Sequence, residues 1–216
     1  MQSPGSSRAS QSSTPRTSRC GWCALACPAP DRSGCWRSII PEVGAGTLRL
    51  VLDTDRLRLR PMTMDDLDDL VALHAAPEVA RFMDSFDRER AIERLRADQR
   101  DWSERGHGLL AVVDRVSGQF LGRTGLKYWP QFAETEVGRA LRPEVWGRSL
   151  ATEAARACIR WGFQELEVPY FTAMIRPDNQ RSIKVAERLG MVSSRSDVLL
   201  DIPVVVYSLQ RPDAAG

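Results

Sequence analysis

The spacing of hydrophobic and polar residues changes period several times along the chain, and the clearest change falls within residues 136–158. Val137, Arg139 and Leu141 alternate with Gly138, Ala140 and Arg142, the period of a strand. Pro143 ends it, because proline has no N–H to give to a ladder. From Leu150 the period lengthens. Leu150, Ala151, Ala154, Ala155, Cys158 and then Trp161 and Gly162 share one helical face, while Arg148, Thr152, Arg156 and Arg160 lie on others. The stretch predicts strand, short loop, and a helix over 150–166.

The same reading organises the rest. Leu48, Leu50, Leu52, Leu57 and Leu59 predict one strand over 48–60. Thr63 is placed as an N-cap, with Asp65 and Asp66 favouring a helix start. Leu67, Leu70, Val71 and His74 form its stripe, Pro77 opens a short segment, and Ile92, Leu95, Gln99 and Trp102 form a second stripe over 87–102. Residues 109–114 and 119–127 predict a hairpin about Arg115–Gly118, followed by an aromatic loop over 128–132. A strand over 170–176, a helix from Asn179 to a terminating Gly190, and a last antiparallel pair over 198–202 and 204–209 complete the series. This order is α/β, a mixed sheet with helices on both faces.

Composition separates the first 47 residues from the remainder. They are rich in Ser, Thr, Pro and Gly, hold no sustained period, and are predicted to be a disordered tail, consistent with a misassigned start. Residues 48–216 are predicted to be the folded domain. The tail carries five arginines against two acids, a net +3 that leaves the rest at −1, so nothing points to a nucleic-acid partner. There is no apolar run of 18 residues to cross a membrane. Cys20, Cys23, Cys27 and Cys35 lie in the tail with degenerate spacing and no nearby histidine, so no metal is expected. Cys158 reads as a small buried hydrophobe, and nothing demands an oxidising compartment, which makes the cytoplasm the default.

The loop Trp146-Gly147-Arg148-Ser149 delivers the chain into a helix start, where unpaired N–H groups and the dipole favour an anion. Taken alone it reads first as an ordinary strand-to-helix turn. With the helix that follows, Trp146-Gly147-Arg148-Ser149-Leu150-Ala151-Thr152-Glu153-Ala154 resembles the acetyl-CoA pyrophosphate loop of GNAT-superfamily N-acetyltransferases. It is closest to the branch containing the ribosomal-protein N-terminal acetyltransferases. Asp53-Thr54-Asp55-Arg56-Leu57-Arg58-Leu59-Arg60-Pro61 is similar to that branch's opening. Asn179-Gln180-Arg181-Ser182, ending at Leu189-Gly190-Met191, is similar to its Asn-x-x-Ser helix. Ser149 stands where the family's first motif glycine stands, and would be strained if the backbone there takes a positive φ.

The resemblance covers about residues 50–210. It implies a GNAT-like, mostly antiparallel sheet splayed at its centre, with acetyl-CoA as cosubstrate. The acceptor implied is an amine-bearing small molecule or a protein N-terminus. It also implies cofactor-binding roles for Ala140, Leu141, Arg142, Gly147, Arg148, Ser149, Leu150, Ala151, Thr152, Asn179 and Ser182. Backbone groups of 140–142 would pair with the pantetheine amides, and one N–H among them would face the developing oxyanion. Glu136 is the first choice for the base and Ser182 for the acid, since the family's frequent tyrosine is Ala186 here. Phe82 and Trp129 would bind the acceptor, and Arg181 or Lys184 the CoA 3′-phosphate. His107, between two glycines, reads as a loop residue or a base. The other class of function left open is a GNAT-fold module that binds acetyl-CoA without transfer, and the chain is expected to be a monomer or homodimer.

Overall fold

The computed structural model describes residues 50–85 and 87–212. The tail predicted over 1–47, with its four cysteines, lies outside them. The described strands are β1 (Leu52–Asp53), β2 (Leu57–Pro61), β3 (Leu109–Asp114), β4 (Phe120–Trp129), β5 (Glu134–Leu141), β6 (Tyr170–Ile175), β7 (Val192–Leu199) and β8 (Ile202–Gln210). The helices are α1 (Leu67–Ala75), α2 (Pro77–Ala80), α3 (Arg88–Arg105), α4 (Leu150–Glu165) and α5 (Gln180–Arg188). One sheet runs β1-β2-β3-β4-β5-β6-β8-β7. Its pairings are antiparallel except β5–β6, which is parallel. The predicted mixed, mostly antiparallel sheet is therefore present.

Alternation along β3 shows how the sheet is sandwiched. Leu110 and Val112 pack with α4, and Ala111 and Val113 pack with α1, α2 and α3. Helix α5 joins α4 on the first face through Ala186, against Ala173 and Ile175. Leu57, Leu59, Leu110, Leu126 and Phe171 are fully buried in the larger core. Each contributes about 1.5–3 kcal/mol of burial free energy.

Local chemistry sets the element ends. Thr63 and Asp66 form a reciprocal capping box ahead of α1. Asp87 caps α3, Asn179 caps α5 through Ser182 N, and Gly190 leaves α5 at φ +82. The single strand expected over 48–60 is two strands. Thr54 breaks it, its hydroxyl oxygen accepting from Leu57 N at 2.9 Å to close a turn. The aromatic loop expected over 128–132 begins two residues later, because Tyr128 and Trp129 pair with Thr135 and Glu134 inside β4–β5. Strand β7 starts at Val192, earlier than expected. Its first five residues are exposed, so this edge strand carries no hydrophobic alternation to read.

The buried stripe of α3 is Ala91, Leu95, Asp98 and Trp102, shifted from the expected Ile92, Leu95, Gln99 and Trp102. A buried aspartate is what the pattern concealed. Asp98 accepts from Leu109 N at 2.6 Å while Trp102 Nε1 donates to Leu109 O at 3.1 Å, docking α3 on the start of β3. Burial pushes the Asp98 carboxyl up to about 7.

Candidate active site

β5 and β6 share one register pair, Glu136 with Thr172, and then part. On its other side β5 stays fully paired with β4 from Glu134 to Leu141, and Arg142 N continues the ladder to Leu121 O at 2.8 Å. An antiparallel ladder uses the two backbone edges of a strand alternately. With Arg142 bonded to β4, Ala140 and Gly138 also face β4. The backbone of Arg139 and Leu141 therefore faces the gap toward β6. This corrects the expectation for residues 140–142: the amides of Ala140 and Arg142 are engaged by β4, and those of Leu141 and Arg139 line the fork. The Arg142 side chain is also elsewhere, paired with Asp69 of α1 at 2.5 Å.

The fork opens into a cavity of about 490 Å³. Its walls include Phe82, Ala140, Leu141, Gly147, Ser149, Leu150, Ala151, Thr152, Asn179 and Ser182, so most of the predicted residues converge on one space. Arg148 does not line it. Its side chain is exposed, and its carbonyl accepts from Arg56 Nη1 at 3.0 Å. Arg56 and Thr54 also hold Glu153, at 2.8 Å and 2.6 Å. This clamp explains the Thr54 and Arg56 of the chain's opening. It ties down the loop and engages the acid of the first turn of α4, leaving the dipole end of the helix unopposed.

The loop backbone is shaped for an anion. Gly147 has φ +77 and Ser149 φ +62, both left-handed. Ser149 is the N-cap of α4 and makes no side-chain capping bond, so the first N–H groups of the helix have no intrahelical acceptor. Thr152, expected on an outer helical face, is 5% exposed, and its Oγ1 is buried without a partner. Arg139, Arg181, Lys184 and Arg188 line the same cavity against the single acid Glu78. An orphaned hydroxyl, an uncapped helix and a cationic wall fit a polyphosphate ligand such as the pyrophosphate of CoA.

Serine in the left-handed region costs about 1–2 kcal/mol that glycine avoids. Ser149→Gly is therefore expected to raise Tm by a few degrees and to keep or improve acetyl-CoA affinity, measured by thermal melting and ligand titration. A clear loss of affinity would show that the hydroxyl contacts the ligand.

Arg139 was missed by sequence reading. It is an inward strand residue whose Nη2 donates to Ser182 O at 2.7 Å and Ser182 Oγ at 3.1 Å, tying β5 to α5 across the cavity. Burial pushes the guanidinium down to about 10. Ala186, at the family's tyrosine position, is fully buried and offers no hydroxyl. Glu136 sits where the strands part. Its Oε2 accepts from Trp129 Nε1 at 2.7 Å and its Oε1 from Met174 N at 3.3 Å. Neither Glu136 nor Trp129 lines the main cavity, and Trp129 braces Glu136. His107 is buried beneath β4, with Nδ1 3.1 Å from Leu126 O, and lines none of the cavity. Burial pushes the Cys158 thiol up to about 12, which makes it inert as a nucleophile.

Residues 56–192 match the family model for the acetyltransferase (GNAT) domain. The chain belongs to the GNAT acetyltransferase family. Among relatives of this GNAT protein, YkkB of Bacillus subtilis (strain 168), an uncharacterized protein, is 35% identical over 162 residues, covering 72% of this chain and 93% of YkkB. The crystal structure of an acetyltransferase from Agrobacterium tumefaciens str. C58 is 30% identical, with a TM-score of 0.68 over 77% of this chain and 99% of that one. The ribosomal-protein-S5-alanine acetyltransferase of Vibrio fischeri, at 17% identity, shares the fold with a TM-score of 0.65 over 77% of this chain and 100% of its own. The GNAT fold is thus shared with the ribosomal-protein branch.

Proposed function

We propose that the protein transfers an acetyl group from acetyl-CoA to a primary amine, on a protein N-terminus or a small molecule, by direct attack within a ternary complex. The observation that carries this reading is the parting of β5 from β6 beyond Glu136 and Thr172, with the freed end of β5 and the uncapped start of α4 lining one cavity. When bound, acetyl-CoA supplies the activated acyl group. The N–H groups at the start of α4, with Thr152 Oγ1, hold the pyrophosphate, and Arg181 and Lys184 add charge for the remaining phosphate. The backbone of Arg139 and Leu141 pairs with an extended amide-bearing arm as an added strand would. A fixed N–H of this edge also stabilises negative charge developing on a carbonyl oxygen.

Glu136 is oriented by Trp129 and Met174 N at the mouth of the fork, where it takes a proton from the acceptor amine. Ser182 lies on the opposite wall. Arg139 donates to its oxygen, which leaves the Ser182 O–H to donate a hydrogen bond toward a departing thiolate, whose proton then comes from solvent.

The first test is thermal melting of the full chain with acetyl-CoA. At about a hundred times its Kd the ligand adds about 2.7 kcal/mol, a rise in Tm of about 5–10 °C for a domain of this size. A cooperative melt without a shift would overturn the reading. A shift with no thiol release toward any amine would favour the binding module instead.

A further inference from the structure

Acetyl transfer as described uses none of the cations on the other side of the central strands. Arg123 and Lys127 project from β4 toward α1–α3, the face that also carries Trp129 and Glu136; Leu126 between them turns toward α4. Arg123 Nε donates to His74 Nε2 at 3.3 Å, and its Nη2 lies 4.0 Å from Met83 Sδ. His74 Nδ1 is 2.9 Å from Asp84 O. With that nitrogen donating to the carbonyl, Nε2 is free to accept from Arg123, which is the neutral tautomer. Burial, helped by the Arg123 charge, pushes the ring down to about 4, so it is uncharged at neutral pH.

His74 thus holds Arg123 without neutralising it. Among the described residues neither Arg123 nor Lys127 makes a salt bridge. Burial pushes Arg123 down to about 10, still cationic at neutral pH. Arg94 of α3 adds positive field to both residues, while Glu136 acts on both from the other side, with Asp98 on Arg123 and Asp101 on Lys127, none of them within ion-pair distance. A desolvated cation without a paired anion is costly, and groups perturbed in this way concentrate where a ligand completes them.

The backbone places Arg123 beside the strand that carries Glu136. A Cβ at Gly138 would meet only Arg123 Nη1, at 3.9 Å, within 4 Å. The guanidinium therefore leans over Gly138, two residues along β5 from Glu136, about 7 Å of strand. Two such groups on neighbouring same-face positions can be met by an amine and a carboxylate carried on one small molecule.

We propose that the acceptor is a small amine bearing a carboxylate, an amino-acid-like molecule whose carboxylate pairs with Arg123 while its amine meets Glu136. This rests on the acetyl-transfer reading of the fork. Arg123 is then the specificity-determining residue, and His74 positions it.

The test is thiol release from acetyl-CoA by the full chain with L-α-amino acids, each beside its carboxamide, and with spermidine. For at least one pair the free acid is expected to exceed the amide about 10- to 100-fold in kcat/KM, the range of a hydrogen-bonded charge pair. Arg123→Gln is expected to bring that ratio close to one, and Arg123→Lys to restore part of it, with melting curves confirming that both variants fold. Amides used as well as acids, preference for spermidine, or an acid preference that survives Arg123→Gln would overturn the proposal while leaving acetyl transfer standing. No release with any acceptor, together with no acetyl-CoA melting shift, would overturn both.

Discussion

Glu136→Gln is expected to lower kcat about 100-fold or more, the usual contribution of a positioned general base. Acetyl-CoA affinity should stay within about a factor of two, by the independence of separated sites. The substitution keeps the side chain's shape. Its oxygen still accepts one hydrogen bond, from either Trp129 Nε1 or Met174 N, and only the capacity to take a proton is lost outright. The phosphate-binding end of the cavity, at Ser149 to Thr152, lies on a different element and is untouched. Steady-state thiol release over a range of pH, paired with acetyl-CoA titration, separates the two effects. An unchanged kcat across pH would remove Glu136 from the chemistry.

The second large effect is on stability. Gly122→Ala is expected to destabilise the protein by about 3–5 kcal/mol, combining backbone strain with overpacking. Gly122 lies at a bulge, where the β3–β4 register shifts between Val112 and Val113, and has φ +146, which side chains rarely tolerate. An added Cβ would stand 2.3 Å from Ala140 O and 2.6 Å from Leu141 Cα. Those contacts are backbone and cannot swing aside. The expected fall in Tm is about 6–20 °C. Because β5 must move to relieve the clash, acetyl-CoA affinity should fall as well. A melting temperature equal to that of the unaltered protein would show that the two strands are less tightly coupled than their register implies.

Features made by residues close in sequence could be read from the chain. The loop Trp146–Ser149, the helix after it, the Thr63 and Asn179 caps and the Gly190 exit each depend on a few consecutive residues. Features made by pairing distant segments could not. A strand over 136–142 is evident from alternation, yet which backbone edge faces β6 depends on the register with β4, so of Ala140, Leu141 and Arg142 only Leu141 keeps its backbone on the fork, joined there by Arg139. Arg123 and His74 are 49 residues apart and meet only because α1 crosses β4. Asp98 looked like part of the solvated face of a charged helix, until Leu109 N supplied the partner that lets it be buried. Ser149 could be marked in advance as a point of strain, but only its torsion shows that the left-handed turn is kept.

The single register pair between β5 and β6 also bears on how the molecule comes apart. Among the described residues, no backbone ladder past Glu136 and Thr172 joins the segment Tyr170–Gln210 to the strands before it. That segment has β6, β7 and β8 paired among themselves and a small core of its own around Ala173, Ile175, Ala186 and Met191. Side chains hold the closed end of the fork: Arg195 grips Glu134 with two bonds of 2.9 Å, and Tyr170 Oη meets the same carboxylate at 3.2 Å. Apart from Phe171, which reaches into the larger core, such a segment is expected to open as a unit below the cost of global unfolding. A ligand spanning both sides of the fork would close that opening, so native-state amide exchange in β6 to β8 reports occupancy at a distance from the bound phosphates.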